Sequence, residues 1–219
     1  MLVTPARPYT TPLVARAAAG DCASSANAGT ERGEAVRLYH GDCLEILPTL
    51  ETASVDAVIT DPPFGIGYQH GGGGKGLHRR RRRNSKQPVI GDNQEFDPTP
   101  LLSFPCIIWG ANHFANKLPK GGTWLAWDKS CGRGPADSFA DCEFAWCSKT
   151  KIKRNVFRFL WKGLACVKAG ESNGRRWHPM QKPVALMRWC LDILGIPDSG
   201  TVLDPFMGSG TTGVACVQT

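Results

Sequence analysis

The chain has 219 residues, of which 42% are hydrophobic, and this is enough for one α/β domain with a sizeable core. No apolar run reaches the roughly 18 residues of a membrane-spanning helix, and the first residues lack the apolar core of a secretory signal. We therefore expect a cytoplasmic protein with no membrane partner. The net charge of +7 is local, since residues 75–86 hold seven basic residues and the remaining 19 basic and 19 acidic residues cancel.

The nine cysteines include no C-x-x-C pair. Zinc sites usually have that spacing, so we expect no metal site. A disulfide framework is typical of much shorter secreted chains. Cysteines within apolar runs, such as Cys106, are therefore predicted to be small buried residues.

The first third of the chain predicts a leader, two strands and a loop. Residues 1–34 are rich in Pro, Ala, Thr, Ser and Gly, which predicts a disordered leader before a domain at 35–219. Strands are predicted at 35–42 and 55–60, with a short helix at 44–50 between them. Residues 65–93 predict a mobile basic loop, because four glycines precede the arginine run.

The middle of the chain is rich in predicted strands. Apolar runs predict strands at 104–109 and 122–127, and a helix reaching Lys117 is predicted between them. Residues 138–146 and 156–161 are predicted to form a hairpin. The region from about 130 to 177 is a candidate for target recognition, although no recognition code can be read from it.

The last part of the chain predicts two helices and a strand. Apolar spacing predicts a helix at 183–194, a strand at 201–203 and a helix that begins near Thr212. The alternation of strands and helices along the chain favours a mainly parallel α/β sheet.

A rigid turn, Asp61-Pro62-Pro63-Phe64, ends the second predicted strand. The two prolines fix φ and remove two backbone donors, so backbone carbonyls remain available beside a carboxylate and an aromatic ring. This arrangement suits a ligand with a flat ring and an amino group. A structural turn without a ligand is the alternative, because Asp and Pro are both common in turns.

A glycine-rich block follows the last predicted strand. Gly208, Gly210 and Gly213 have the G-x-G-x-x-G spacing of nucleotide sites. Glycines allow close backbone approach, and the N-terminus of the following helix favours a carboxylate or phosphate. A nicotinamide site would also need an acidic residue about 20 residues later, and a glycine-rich turn without a ligand is the other alternative.

These two blocks, together with the block at 178–183, resemble one family. His178-Pro179-Met180-Gln181-Lys182-Pro183 is similar to the His-Pro-Thr-Gln-Lys-Pro signature of S-adenosylmethionine-dependent DNA amino-methyltransferases, with Met180 in place of threonine. Enzymes of this family methylate adenine N6 or cytosine N4, in restriction-modification systems or phages. The order of the blocks is that of the beta group. The resemblance covers residues 36–219 and implies a Rossmann-like, mainly parallel methyltransferase sheet with helices on both faces.

The resemblance also implies roles for individual residues. Asp61 and the carbonyl of Pro62 would polarise the target amine, and Phe64, after Pro63, would stack on a base extruded from the duplex. S-adenosylmethionine is the implied cofactor, and no metal is needed. The implied cofactor-binding residues are Asp42, Lys182, Asp204, Phe206, Gly208, Gly210 and Thr211, with Gln181 beside them.

Double-stranded DNA is the implied partner. Arg79, Arg80, Arg81, Arg82 and Arg83 suit contacts with its phosphates, and a solvated charge run is the alternative. A cognate restriction endonuclease and a homodimer are further partners that the resemblance allows. Aspartate at position 61 favours adenine N6 over cytosine N4, and a structured-RNA methyltransferase is a weaker alternative.

The end of the chain departs from the family pattern. Family members continue after the cofactor helix with a strand whose acidic residue holds the adenosine ribose. The resemblance therefore implies a C-terminally truncated sheet, an exposed edge beside the strand at 201–203 and weak cofactor binding. An inactive DNA-binding remnant is the alternative that this departure leaves open.

Overall fold

The computed structural model describes residues 36–51, 53–67, 89, 91–132, 140–161 and 181–219, and the backbone of 13–16. The strands are β1 (Leu13–Arg16), β2 (Val36–Leu38), β3 (Ala57–Thr60), β4 (Cys106–Trp109), β5 (Thr123–Asp128), β6 (Cys142–Cys147), β7 (Val156–Arg158) and β8 (Thr201–Asp204). The α-helices are α1 (Cys43–Ile46), α2 (Val184–Leu194) and α3 (Thr211–Gln218). Three 3-10 helices lie at Leu47–Thr49, Thr99–Leu101 and Ala111–Lys117.

The described strands form one mixed sheet in the order β2-β1-β8-β3-β4-β6-β5-β7. β3 lies parallel between β8 and β4, and β5 is parallel to β7. The other four neighbouring pairs are antiparallel. The α/β class is confirmed, but the predicted excess of parallel pairs is wrong. Between β4 and α2 the described residues contain one 3-10 helix and no α-helix, so few crossover helices are present to make neighbours parallel.

The predicted hairpin between residues 138–146 and 156–161 is also wrong. β7 pairs with β5, with Val156 opposite Ala126, and β5 therefore lies between β6 and β7. Asn155 holds this arrangement, because its side chain donates to the carbonyl of Trp124 and its own carbonyl accepts from the Ala126 N–H.

An N-terminal strand corrects two further expectations. β1 lies within the predicted disordered leader, yet it pairs antiparallel with both β2 and β8. It therefore occupies the edge of β8 that was expected to be exposed. Backbone groups of a strand edge can be satisfied by any extended segment, and composition does not reveal this pairing. The rest of residues 1–34 lies outside the described part of the chain.

Both faces of the sheet are covered, as predicted. Ile107 and Trp109 of β4 point to one face, where they share a core with α2 and α3. Cys106 and Ile108 point to the other face, where they pack with residues of two 3-10 helices, Thr99–Leu101 and Ala111–Lys117. Strands that are buried on both faces have continuous apolar sequences, which explains why β3, β4 and β8 were predictable.

None of the helices that the structure describes is both long and apolar enough to cross a membrane. The seven cysteines in the described ranges are free thiols, and five of them are buried. Among the same residues no group of three or more His, Cys, Asp and Glu side chains could hold a metal ion.

Candidate functional site

Two turns that are far apart in sequence lie side by side in the sheet. β3 and β8 are parallel neighbours, so the Asp61 turn and the glycine-rich turn both follow the carboxyl ends of these strands, on the same side of the sheet. Ligands of open α/β sheets bind at the carboxyl ends of the strands. Thr60 and Asp204 join the two strands directly, since the Thr60 hydroxyl donates to Asp204 Oδ1 over 2.7 Å.

Asp204 lies beneath both turns and is buried. Its Oδ2 accepts from the Thr212 hydroxyl at 2.7 Å, and its Oδ1 also accepts from the Phe206 N–H at 3.1 Å. Burial raises the pKa of the Asp204 carboxyl to about 6, against the lowering effect of these hydrogen bonds. Both carboxylate oxygens of Asp204 therefore accept hydrogen bonds within the protein, and its role at the cofactor stays a prediction.

The glycine-rich turn has the left-handed backbone that its glycines predict. Gly208 and Gly210 have φ of 51° and 74°, values that side-chain-bearing residues rarely adopt. Gly210 is the N-cap of α3 and provides no side-chain cap, so the first N–H groups of α3 have no capping side chain. Thr211 is buried beside the Ser209 hydroxyl, and the Phe206 ring packs edge-on against Phe96 at 5.5 Å.

The Asp61 carboxylate is paired with a buried lysine. Lys182 Nζ lies 2.5 Å from Asp61 Oδ2 and 3.1 Å from Glu143 Oε2, and Lys129 Nζ lies 2.8 Å from Glu143 Oε1. The side chain of Lys182 is 8% exposed, whereas that of Asp61 is 24% exposed. These four residues, which we call the charge chain, place Lys182 against the Asp61 turn, and its role at the cofactor stays a prediction.

The four charged groups of the charge chain stabilise one another. Burial alone would lower the pKa of Lys182, but the carboxylates of Asp61 and Glu143 outweigh it and raise that pKa. Burial alone would raise the pKa of Glu143, but Lys182 and Lys129 outweigh it and lower that pKa to about 2. Lys182 and Glu143 are therefore both charged at neutral pH.

Phe64 is held by its neighbours. Its ring stacks on that of His113 with centroids 4.9 Å apart and planes 13° from parallel. A Cβ on Gly110 would lie 1.8 Å from the Phe64 ring, and Gly110 has a φ of 71°. Only glycine therefore fits at position 110, where the backbone supports the ring.

Asp92 fixes the chain directly after Phe64. Its Oδ1 accepts from the N–H groups of Gly65 and Ile66, at 2.7 Å and 3.3 Å, and its carbonyl accepts from the Gly67 N–H. The two ends of the predicted mobile loop at 65–93 are thus bonded to each other. Sequence reasoning missed Asp92, because a Gly-Asp-Asn turn carries no sign of its partner.

The other predicted residues are placed as follows. Asp42 caps α1 by accepting from the Leu44 N–H at 2.9 Å, and its role at the cofactor stays a prediction. Glu143 and Lys129 were missed by sequence reasoning, although a glutamate within the apolar strand β6 is a signal that a charged partner is needed. Arg79–Arg83 lie outside the described residues.

Comparison with known proteins agrees with the sequence motifs. Residues 132–219 match the N6/N4 methyltransferase model, which is described as DNA methylase. Over this range the chain is similar to the N6/N4 DNA methylase family. The matched range includes Glu143, Lys182 and the glycine-rich block.

Two curated relatives are type II methyltransferases. The chain is 25% identical to M.HinfI of Haemophilus influenzae over 223 residues, which cover 80% of this chain and 60% of the relative. It is 23% identical to M.ScaI of Streptomyces caespitosus over 224 residues, which cover 81% of this chain and 72% of the relative. The chain thus spans about three fifths of the length of M.HinfI. Among solved structures, a complex of M1.HpyAVI with SAM is similar with a TM-score of 0.43 and 25% identity, covering 81% of this chain and 86% of the other.

Proposed function

We propose that this protein transfers a methyl group from S-adenosylmethionine to the exocyclic amine of a base in DNA, with adenine N6 as the target. The observation that supports this proposal most is the juxtaposition of the Asp61 turn and the glycine-rich turn at one edge of the sheet, joined by Thr60 and Asp204. A target amine at the Asp61 turn and a methyl donor at the glycine-rich turn would lie next to each other.

The Asp61 turn suits the activation of an amine. The lone pair of a base amino group is delocalised into the ring, and acceptors on both N–H groups localise it on the nitrogen. The Asp61 carboxylate and the Pro62 carbonyl are the proposed acceptors. Lys182 keeps a positive charge against Asp61, so the carboxylate acts as a charged hydrogen-bond acceptor, and positioning supplies much of the rate.

The glycine-rich turn suits the methionine part of the cofactor. A Cβ on Gly208 would meet nothing closer than the Phe206 carbonyl at 3.9 Å, which leaves room above the turn. The N–H groups at the start of α3 favour a carboxylate. Bound S-adenosylmethionine supplies an electrophilic methyl on its sulfonium, and the residues we assign to its pocket are Phe206, Gly208, Gly210 and Thr211.

A methyl-transfer assay tests the proposal. Purified full chain is incubated with duplex DNA and S-adenosylmethionine labelled on the methyl group, and label in DNA is counted for the wild type, Asp61→Ala and the exposed control Asp198→Ala. We expect the wild type and the control to label DNA equally and Asp61→Ala to lose the activity. Equal labelling by all three would refute the role of Asp61, and no labelling by any would refute the activity of this chain.

Mass spectrometry of nucleosides from the same DNA identifies the base. We expect N6-methyladenine, because aspartate at position 61 favours adenine within the family resemblance. Detection of N4-methylcytosine without N6-methyladenine would reject the adenine assignment while leaving the reaction class intact.

A further inference from the structure

The position of Glu143 in the sheet brings it to the site. β6 is antiparallel to β4, so the N-terminal end of β6 lies at the edge where β3 and β4 end. Glu143 lies at this end, opposite Trp127 of β5. Its two carboxylate oxygens contact different lysines: Oε1 lies 2.8 Å from Lys129 Nζ, and Oε2 lies 3.1 Å from Lys182 Nζ.

The Lys182 ammonium in turn contacts two carboxylates. One ammonium group bonds Asp61 Oδ2 and Glu143 Oε2, and it is almost entirely excluded from water. Charges interact strongly where water is scarce, and a buried charge that loses its partner is costly. The charge chain, with two lysines and two carboxylates, is neutral as a whole.

We propose that Glu143 is a positioning residue for methyl transfer, because it shares the Lys182 ammonium with Asp61 and so leaves the Asp61 carboxylate able to accept from the target amine. This inference rests on the proposed function. Without the Glu143 charge, Asp61 would be the only carboxylate in an ion pair with Lys182.

Glutamine and aspartate at position 143 separate charge from shape. Glu143→Gln keeps the length of the side chain and removes the charge, whereas Glu143→Asp keeps the charge and is one methylene shorter. Glu51→Gln, at an exposed glutamate, controls for the loss of one negative charge. Steady-state methyl transfer gives kcat and KM for each variant, and circular dichroism gives the folded fraction.

We expect kcat per folded molecule to fall about 10- to 100-fold in Glu143→Gln, as for a misplaced catalytic group. KM for DNA and for S-adenosylmethionine should stay within about twofold, since the variant changes only how Lys182 is shared with Asp61. Glu143→Asp should recover part of kcat, and Glu51→Gln should match the wild type. An unchanged kcat in Glu143→Gln, or a fall that follows the folded fraction alone, would overturn the inference.

A second measurement does not depend on activity. If the wild type transfers no methyl group, the proposed function fails, and the sharing of Lys182 is then tested by urea unfolding of Asp61→Asn, Glu143→Gln and the double variant. Coupling through Lys182 predicts that the double variant shifts the midpoint by an amount different from the sum of the two single shifts. Additive shifts would overturn the inference without reference to catalysis.

Discussion

Replacement of Asp204 by asparagine should change how the stability of the protein depends on pH. Asparagine keeps the size of the side chain and one carbonyl acceptor, but it cannot ionise. The wild-type carboxyl has a folded-state pKa of about 6, compared with an ordinary value of 3.8, because it is buried. The folded state therefore binds this proton more tightly than the unfolded state does.

The sign and size of the effect follow from this difference. The stabilising contribution of the proton is complete below pH 3.8 and is lost as the pH rises through about 6. A shift of this size corresponds to about 3 kcal/mol at 1.36 kcal/mol per pH unit, and roughly half of it is lost between pH 5 and pH 8. The wild type should therefore lose about 1.5 kcal/mol of stability relative to Asp204→Asn over that interval.

Urea unfolding followed by tryptophan fluorescence measures both proteins at pH 5 and pH 8. Contributions of other titrating groups, including Glu143, are present in both proteins and cancel in the difference. Asp198→Asn controls for the loss of one exposed carboxylate. A difference between wild type and Asp204→Asn that stays constant, or that moves in favour of the wild type as pH rises, would refute the reasoning about the buried carboxyl.

Three further perturbations have defined outcomes. Gly110→Ala should abolish most methyl transfer, because the added Cβ would displace Phe64; Gly132→Ala, with a φ of 74° and no atom within 4 Å of the added Cβ, controls for backbone strain in the same assay. Lys182→Met should destabilise the fold by about 3–5 kcal/mol, because two carboxylates lose their buried partner, and urea unfolding measures this. Substitution of Arg79–Arg83 by glutamine should reduce the slope of log Kd for DNA against log salt by about four to five, if each arginine contacts one phosphate.

Each of these outcomes can fail in a specific way. Equal activity of the two alanine variants at positions 110 and 132 would show that Phe64 is not required where the structure places it. A stability of Lys182→Met equal to that of the wild type would mean that the charge chain is not buried as described. An unchanged salt slope for the glutamine variant would assign the arginine run to solvent.

The sequence predicted those parts of the protein that depend on local pattern. The buried strands β3, β4 and β8 are continuous apolar runs, and α2 has clear helical spacing. The two prolines after Asp61 and the glycines before α3 determine their turns through backbone geometry alone. For these reasons the two turns that follow β3 and β8 could be predicted from the sequence.

The rest depends on contacts between distant residues. Glu143 and Asp92 become part of the site through partners that are 39 and 27 positions away, and their own neighbours in sequence do not indicate these partners. The motif at 178–183 likewise does not indicate that Lys182 pairs with Asp61, which lies 121 positions away. β1 joins the sheet through backbone pairing, which the amino-acid composition of residues 1–34 does not predict.

The ion pair between Asp61 and Lys182 also constrains when the protein can fold. The two residues are separated by 121 positions, and Thr60 and Asp204 by 144. At about 5–20 residues per second, the ribosome adds Lys182 roughly 6–24 s after Asp61. During this interval the nascent chain has the Asp61 turn without its counter-ion and β3 without β8. Contacts of such long range slow folding, so the site can assemble only after Lys182 and Asp204 have been synthesised.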